Sequence, residues 1–109
     1  PAAALAFDAL ATIYVQQSRF ADAGALSTEF LRHNASDYRG PYFLAAARDG
    51  QRLEENETLP LIEESLRRNP RFAAAHALKG KILLKQKKLA EASASLRAAI
   101  SLRPDLVQA

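Results

Sequence analysis

The chain has 109 residues, of which 49% are hydrophobic and 25% are charged, and its formal charge is +3. Length and composition fit one globular domain and argue against disorder. The lack of cysteine excludes disulfides and thiolate metal sites, and no apolar run approaches the roughly 20 residues of a transmembrane helix. We expect a soluble segment of unknown compartment. Because it begins at Pro1 and contains no methionine, we also expect a piece of a longer protein.

Apolar residues in the first third recur every three or four positions, which predicts two helices. The first pattern lies in residues 5–14 and the second begins at Phe20 and ends near Leu31. Ser18 precedes the second pattern and is expected to cap its first turn by accepting backbone N–H bonds. The first third is therefore predicted to be a helical hairpin.

The middle and last thirds repeat this arrangement. "GPYFLAAARDG" and "TLPLIEESLRRNP" predict one helix each, with Thr58 as cap, Pro60 in the first turn and Pro70 beyond the end. "FAAAHALKGKILLKQ" and "LAEASASLRAAISLRP" predict the last pair, which Pro104 ends. The polar stretch of residues 49–57 predicts an irregular, mobile turn. No segment alternates with period two, so we expect no sheet.

The three hairpins show an internal repeat. Ala11, Ala46 and Gly80 can be superimposed with separations of 35 and 34 residues. Small residues or prolines recur twelve and twenty-four positions after each, as Ala23, Thr58 and Ala92 and then Ala35, Pro70 and Pro104. Small residues at regular places let antiparallel helices approach closely, while larger ones fill the seams. The sequence therefore predicts stacked, similar hairpins.

This pattern resembles the tetratricopeptide repeat, a helical hairpin of 34 residues. The first copy carries Phe7, Leu10-Ala11, Tyr14, Phe20 and Ala23, and the third carries His76, Gly80, Leu83, Leu89, Ala92, Leu96, Ala99 and Pro104. The resemblance implies an all-α fold, a right-handed superhelix (α-solenoid) of three antiparallel hairpins. The expected repeats are residues 4–37, 38–72 and 73–106, and residues 105–109 resemble the start of a further helix.

Three residues depart from the family pattern. Asp49 stands where the family prefers tyrosine, Lys79 where it prefers leucine, and Lys87 where it often has glycine between the two helices. Lys79 can lay its methylene groups on apolar neighbours and keep its ammonium in water. None of these departures breaks the resemblance.

No constellation of residues predicts catalysis, so we expect neither an enzyme nor a cofactor or metal site. We expect no helical metal site at His33 or His76, which lie on different hairpins. We expect His76 to pack at the family's aromatic place, and His33 to meet the free carbonyls at a helix C-terminus.

The resemblance implies a concave groove lined by the first helix of each hairpin. By register, the groove residues expected to bind a partner are Asp8, Thr12, Val15, Gln16, Phe43, Ala47, Gln51, Ala77, Lys81, Leu84 and Lys85. One subgroup of the family holds a peptide's C-terminal carboxylate with Lys and Asn in this groove. Asp8 would repel that carboxylate, so the arrangement is not recognisable here.

The leading hypothesis is a non-catalytic scaffold that binds a peptide or partner helix, with Phe43 as an apolar contact and Lys81 and Lys85 as cationic contacts. The charge distribution leaves an alternative open, since residues 71–109 carry eight Lys/Arg and two Asp/Glu. That basic hairpin suggests polyanion binding, but no aromatic residues are interleaved with the lysines, so nucleic acid is the weaker hypothesis. A third hypothesis is a docking or self-association arm of a larger enzyme or secretion assembly, with homo-oligomers forming through exposed array ends.

Overall fold

The computed structural model describes residues 2–52 and 55–103. These residues form six helices and no strand: α1 Ala2–Gln16, α2 Phe20–His33, α3 Arg39–Gly50, α4 Glu55–Arg68, α5 Ala73–Lys85 and α6 Leu89–Leu102. Helices adjacent in the chain pack on each other, and α3 also packs against α1 and α5. The predicted all-α architecture of stacked helical hairpins is confirmed.

Two apolar clusters hold the hairpins together. The first joins α1, α2 and α3 through Phe7, Ala11, Phe30 and Phe43, and the second joins α3, α4 and α5 through Ala45, Ile62, Ala75 and Ile82. Phe7 stacks on Phe30 with 4.0 Å between ring centroids and meets the edge of Phe43 at 5.4 Å. Each cluster therefore includes residues of two hairpins, and helix α3 contributes to both.

The hairpin turns share a backbone conformation that the sequence pattern did not predict. Ser18, Arg52 and Lys87 have φ values of 58°, 59° and 62°, and each lies two residues after the end of a first helix. At Lys87 the amide donates to Leu84 O at 3.0 Å and the next amide donates to Leu83 O at 3.0 Å. This bonding closes the helix C-terminus by a Schellman motif. Lys87 thus takes the left-handed conformation that glycine favours at this place.

The cap predicted at Ser18 is wrong. The residue before α2 is Arg19, and no side chain caps that helix. Ser18 instead adopts the left-handed conformation at the end of α1, where its amide donates to Val15 O at 3.0 Å and the Arg19 amide donates to Tyr14 O at 2.7 Å. Because Ser18 closes the preceding helix, its hydroxyl is not placed to open the following one.

The second hairpin also differs from its prediction. Helix α3 continues through Asp49 to Gly50, so the irregular turn does not begin at Asp49. Helix α4 begins at Glu55, which places Thr58, fully buried, and Pro60 inside the helix and not at its start. Three parts of the predictions lie outside the described residues. They are residues 53–54 of the predicted turn, the helix end at Pro104 and the helix start at 105–109.

The small residue of the second hairpin is Ala45 and not Ala46. Ala11, Ala45 and Gly80 each lie five residues before the end of their helix, and Ala45 is fully buried whereas Ala46 is half-buried. Four residues separate α3 from α4, whereas three separate the helices of the other hairpins. This extra residue moves the register of α3 by one position relative to the sequence alignment. The repeat bounds 4–37, 38–72 and 73–106 remain predictions. The first range contains α2 and most of α1, and the second contains α3 and α4.

Candidate functional site

Helices α1, α3 and α5 form a groove with three adjoining cavities of about 290, 260 and 330 Å³. We call this surface the Tyr42 groove, because Tyr42 on α3 lines all three cavities. The other lining residues are Asp8, Thr12, Val15 and Gln16 on α1, Phe20 on α2, Phe43, Ala46, Asp49 and Gly50 on α3, Ala74, Ala77, Leu78 and Lys81 on α5, and Phe72 just before α5.

Tyr42 combines a packed ring with a polar end. Its ring meets Phe43 and Phe72 edge-on, at centroid distances of 4.8 and 4.9 Å. Within the described part of the chain its hydroxyl makes no hydrogen bond. Burial, and then the negative charge of Asp8, raise the pKa of Tyr42 above its ordinary value. The phenol is therefore protonated at neutral pH and can both donate and accept in the groove.

Asp8 lies at the α1 side of the Tyr42 groove and is held by two neighbours. Arg39 Nε donates to Asp8 Oδ2 at 3.1 Å, and the Thr12 hydroxyl lies 3.4 Å from Asp8 Oδ1. The same guanidinium reaches Asp37 Oδ2 through Nη1 at 3.1 Å, and the Arg39 side chain is 20% exposed. Asp8 is thus oriented by α3 and part of its charge is neutralised inside the protein.

The α5 side of the groove contains a three-residue ion cluster. Lys85 Nζ donates to Asp49 Oδ1 at 2.8 Å, and Lys81 Nζ lies 3.2 Å from Asp49 Oδ2. The Asp49 side chain is 5% exposed, against 61% for Lys81 and 43% for Lys85. Burial alone would raise the pKa of Asp49, but hydrogen bonds from both lysines and their positive charges outweigh it and lower the pKa. We call this set the Asp49 cluster.

The structure brings together part of the predicted groove set. Five of those residues share one cavity with Tyr42: Asp8, Thr12, Val15, Gln16 and Phe43. Ala77 and Lys81 line the adjoining cavity. Lys85 turns its ammonium to Asp49. Whether any of these residues binds a partner remains a prediction.

The remaining predicted residues lie elsewhere. Ala47 is fully buried on the side of α3 that faces Gly24 of α2, Gln51 is the exposed residue that follows α3, and Leu84 is exposed without lining the groove cavities. Phe43 is only 5% exposed and lies mainly in the core. The placements on α3 follow from its one-residue register shift.

The sequence pattern did not predict Tyr42, Ala46, Asp49, Leu78, Phe72 and Ala74 as lining residues. For the α3 residues the sequence left a second register open. A spacing of 34 residues from Ala11 leads to Ala45, and this register would have placed Tyr42, Ala46 and Asp49 on the groove side. No local signal marked Phe72 and Ala74, which enter the groove through the packing of α5 against α3.

Neither histidine takes part in a metal site within the described residues. His33 Nε2 lies 3.1 Å from the Glu29 carboxylate, so it meets a side chain one turn earlier and not the free carbonyls that were expected. His76 is half-buried, and its Nε2–H donates to Pro70 O at 2.9 Å. Among the residues that the structure describes, no group of three His, Asp or Glu could hold a metal ion.

A second apolar surface lies between the two helices of the first hairpin. A cavity of about 380 Å³ between α1 and α2 is lined mainly by Ala3, Ala6, Phe7, Leu10, Leu26 and Phe30. Leu10, which lines this cavity, is 38% exposed, and Leu5 and Ile13 on the same helix are 65% and 46% exposed. Self-association through this array end remains a prediction. In the described part of the chain no helix is both long and apolar enough to cross a membrane.

The fold and the groove define the class: the chain has the stacked helical-hairpin fold of a TPR domain. No family model matches its sequence, and no curated protein does. Among solved structures, the chain is similar to the TPR2B domain of yeast Sti1, solved as a complex with pHsp70. That match has 21% identity and a TM-score of 0.78, and covers 99% of this chain and 86% of the other.

Two further structures support the same fold. The type III secretion chaperone SycD of Yersinia enterocolitica, in complex with a peptide of the translocator YopD, matches with 18% identity and a TM-score of 0.76, covering 96% of this chain and 79% of SycD. MamA of Desulfovibrio magneticus matches with 16% identity and a TM-score of 0.72, covering 92% of this chain and 56% of MamA. At such identities the likeness establishes the fold alone.

Proposed function

We propose that the chain is a non-catalytic interaction scaffold that binds an extended segment of a partner protein in the Tyr42 groove. The observation that carries this proposal is the position of Tyr42 at the junction of three cavities, with a hydroxyl that no other described residue bonds. A partner segment that follows the groove would cross this hydroxyl.

The sizes of the cavities favour an extended segment over a compact small molecule. Drug-sized ligands occupy cavities of roughly 300 to 1,000 Å³. The groove cavities, at about 290, 260 and 330 Å³, lie at or near the lower end of that range and adjoin each other. Successive side chains of one peptide would fill them separately, while the Tyr42 hydroxyl would bond a backbone group between them.

The chemistry of the walls also suits a peptide. Val15, Phe43, Phe72 and Ala74 give one cavity an apolar wall, and Thr12 and Gln16 supply neutral polar groups at its edge. Buried aromatic side chains surrounded by polar groups are typical of residues that dominate protein-binding affinity. Two of the similar structures, SycD and the TPR2B domain, were solved with a YopD peptide and with pHsp70, which lends support by analogy.

The proposal is tested with peptides selected on this chain. Twelve-residue peptides are selected from a random library on the wild-type chain, and their affinities are measured by fluorescence polarisation. Tyr42→Phe removes one hydrogen bond and should weaken binding by about 2- to 13-fold. Ala77→Trp fills the cavity beside Lys81 and should weaken it further, since that cavity is only about 290 Å³.

Matched controls lie outside the groove. Tyr14→Phe removes the hydroxyl of a tyrosine whose ring contacts Arg19, and Ala94→Trp adds the same bulk at an exposed position of α6. Both controls should keep wild-type affinity. If the selected peptides bind Tyr42→Phe and Ala77→Trp as tightly as they bind the wild type, the groove is not their binding site.

A further inference from the structure

The Asp49 cluster is the charged feature at the α5 side of the Tyr42 groove. Asp49 lies in the last turn of α3, and its two carboxylate oxygens lie 2.8 Å from Lys85 Nζ and 3.2 Å from Lys81 Nζ, on two residues one turn apart on α5. One buried carboxylate therefore partners both lysines that the sequence had suggested as contacts for an acidic partner. The three formal charges sum to +1, not to the +2 of two free lysines.

We propose that Asp49 determines the selectivity of the Tyr42 groove, as a built-in counter-ion that weakens binding of strongly acidic segments and leaves the groove suited to largely uncharged, apolar ones. This inference rests on the proposed function, because it concerns which segments the same groove accepts. Asp49 acts through Lys81 and Lys85 and is a positioning residue, not itself the main contact.

The cluster resists displacement for two physical reasons. Asp49 is attached to α3 and its side chain is only 5% exposed, so a competing acid cannot push it into water. An acid that drew the lysines away would leave a buried carboxylate without its partners, which is strongly unfavourable. A partner's acid would therefore have to bind while Asp49 stays, and it would be repelled by Asp49 while it is attracted to the ammonium groups.

The other charged groups near the groove do not offset this arrangement. Asp8 is the acid at the α1 side, and it is paired with Arg39, whose guanidinium also serves Asp37. Lys79, the other α5 lysine before the turn, lies 3.2 Å from the Glu63 carboxylate of α4. Each of these cations, which could attract an acidic segment to the groove, thus has an acid of the same chain beside it.

The decisive variant is Asp49→Asn, which keeps the size of the side chain and removes its charge. The probes are dye-labelled peptides of six glutamates and of six glutamines, titrated by fluorescence polarisation at about 20 mM salt, where surface charges are weakly screened. Freeing two exposed lysines should strengthen hexaglutamate binding by about 2- to 30-fold. Hexaglutamine binding should not change, and about 200 mM salt should abolish most of the gain.

Two further variants assign the effect to the cluster. Asp22→Asn makes the same charge change on α2, where Asp22 pairs with Arg19, and it should produce no comparable gain. Adding Lys81→Gln and Lys85→Gln to Asp49→Asn should remove the gain and bring hexaglutamate binding to the wild-type level or below it, because the cluster then carries no charge. A gain of equal size in Asp22→Asn, or no gain in Asp49→Asn, would overturn the proposal.

A separate measurement keeps the proposal testable if Asp49→Asn folds poorly. In the wild-type background, the single variant Lys81→Gln leaves Asp49 paired with Lys85 and should bind hexaglutamate within about 3-fold of the parent, because the Lys81 charge is already neutralised in part. A loss of about 10-fold or more would refute the counter-ion role. These assays use no natural partner, so they are independent of whether library peptides select the Tyr42 groove.

Discussion

Replacing Gly80 with alanine tests the close contact between α5 and α6. A Cβ atom at Gly80 would lie 2.7 Å from both Cγ and Cδ2 of Leu96 and 3.3 Å from the Ala92 carbonyl oxygen. Carbon atoms pack best at about 3.5 to 4.0 Å, so Leu96 would have to move by about 1 Å. Because Leu96 Cγ is a branch point near the backbone, the side chain cannot swing aside freely, and α6 itself would have to shift.

The expected change in the free energy of unfolding combines two opposing effects. Overpacking a seam costs about 1 to 3 kcal/mol, whereas alanine is better than glycine in a helix by about 1 kcal/mol. We expect Gly80→Ala to destabilise the chain by about 0 to 2 kcal/mol, measured by urea unfolding followed by circular dichroism.

Gly24→Ala provides the matched control in α2. A Cβ atom there would lie 3.7 Å from Ala47 Cβ, an ordinary contact, so only the helix preference remains. This variant should gain about 0.5 to 1 kcal/mol. Truncating Leu96 to alanine removes the group that the new Cβ atom would contact. Adding Gly80→Ala to Leu96→Ala should therefore raise the free energy of unfolding by part of the helix preference for alanine. If both alanines stabilise the chain equally, the two helices are farther apart than described, and the reasoning fails.

Two further predictions concern buried charge and backbone strain. Asp49→Asn should lower stability by about 1 to 2 kcal/mol at neutral pH. Because the lysines lower the pKa of Asp49 in the folded chain, this difference in stability should be complete above the unfolded pKa of about 3.9 and vanish as pH falls through the folded pKa. Urea titrations at several pH values would measure it, and a difference independent of pH would contradict the pairing of Asp49 with the lysines. Lys87→Gly should raise stability by about 0.5 to 1 kcal/mol because φ is 62°, whereas Lys87→Ala should not; equal effects in thermal melts would refute the strain argument.

The lysine-rich stretch at residues 79–88 shows where sequence reasoning stops. Its spacing correctly placed Gly80 at a close helix contact, and Ile82 and Leu83 in the interior. The same spacing left Lys81 and Lys85 as free cations facing the groove. Their acidic partner, Asp49, lies 36 positions before Lys85, so no local pattern revealed it. The polyanion hypothesis loses support for the same reason, because Lys79 also has an acid beside it.

The sequence by itself determined the number of hairpins, the close-packed small residues of the first and third hairpins, and the all-helical class. These properties follow from local periodicity and from a repeat that is visible in the letters alone. Tertiary structure decided the rest of the groove. The expected and the observed registers of α3 differ by one residue, or about 100° around the helix, and the observed one brings Tyr42 into the groove and turns Ala47 toward α2. The length of a turn is not fixed by helical periodicity, and only the packing of α3 between α1 and α5 shows which of its faces lines the groove.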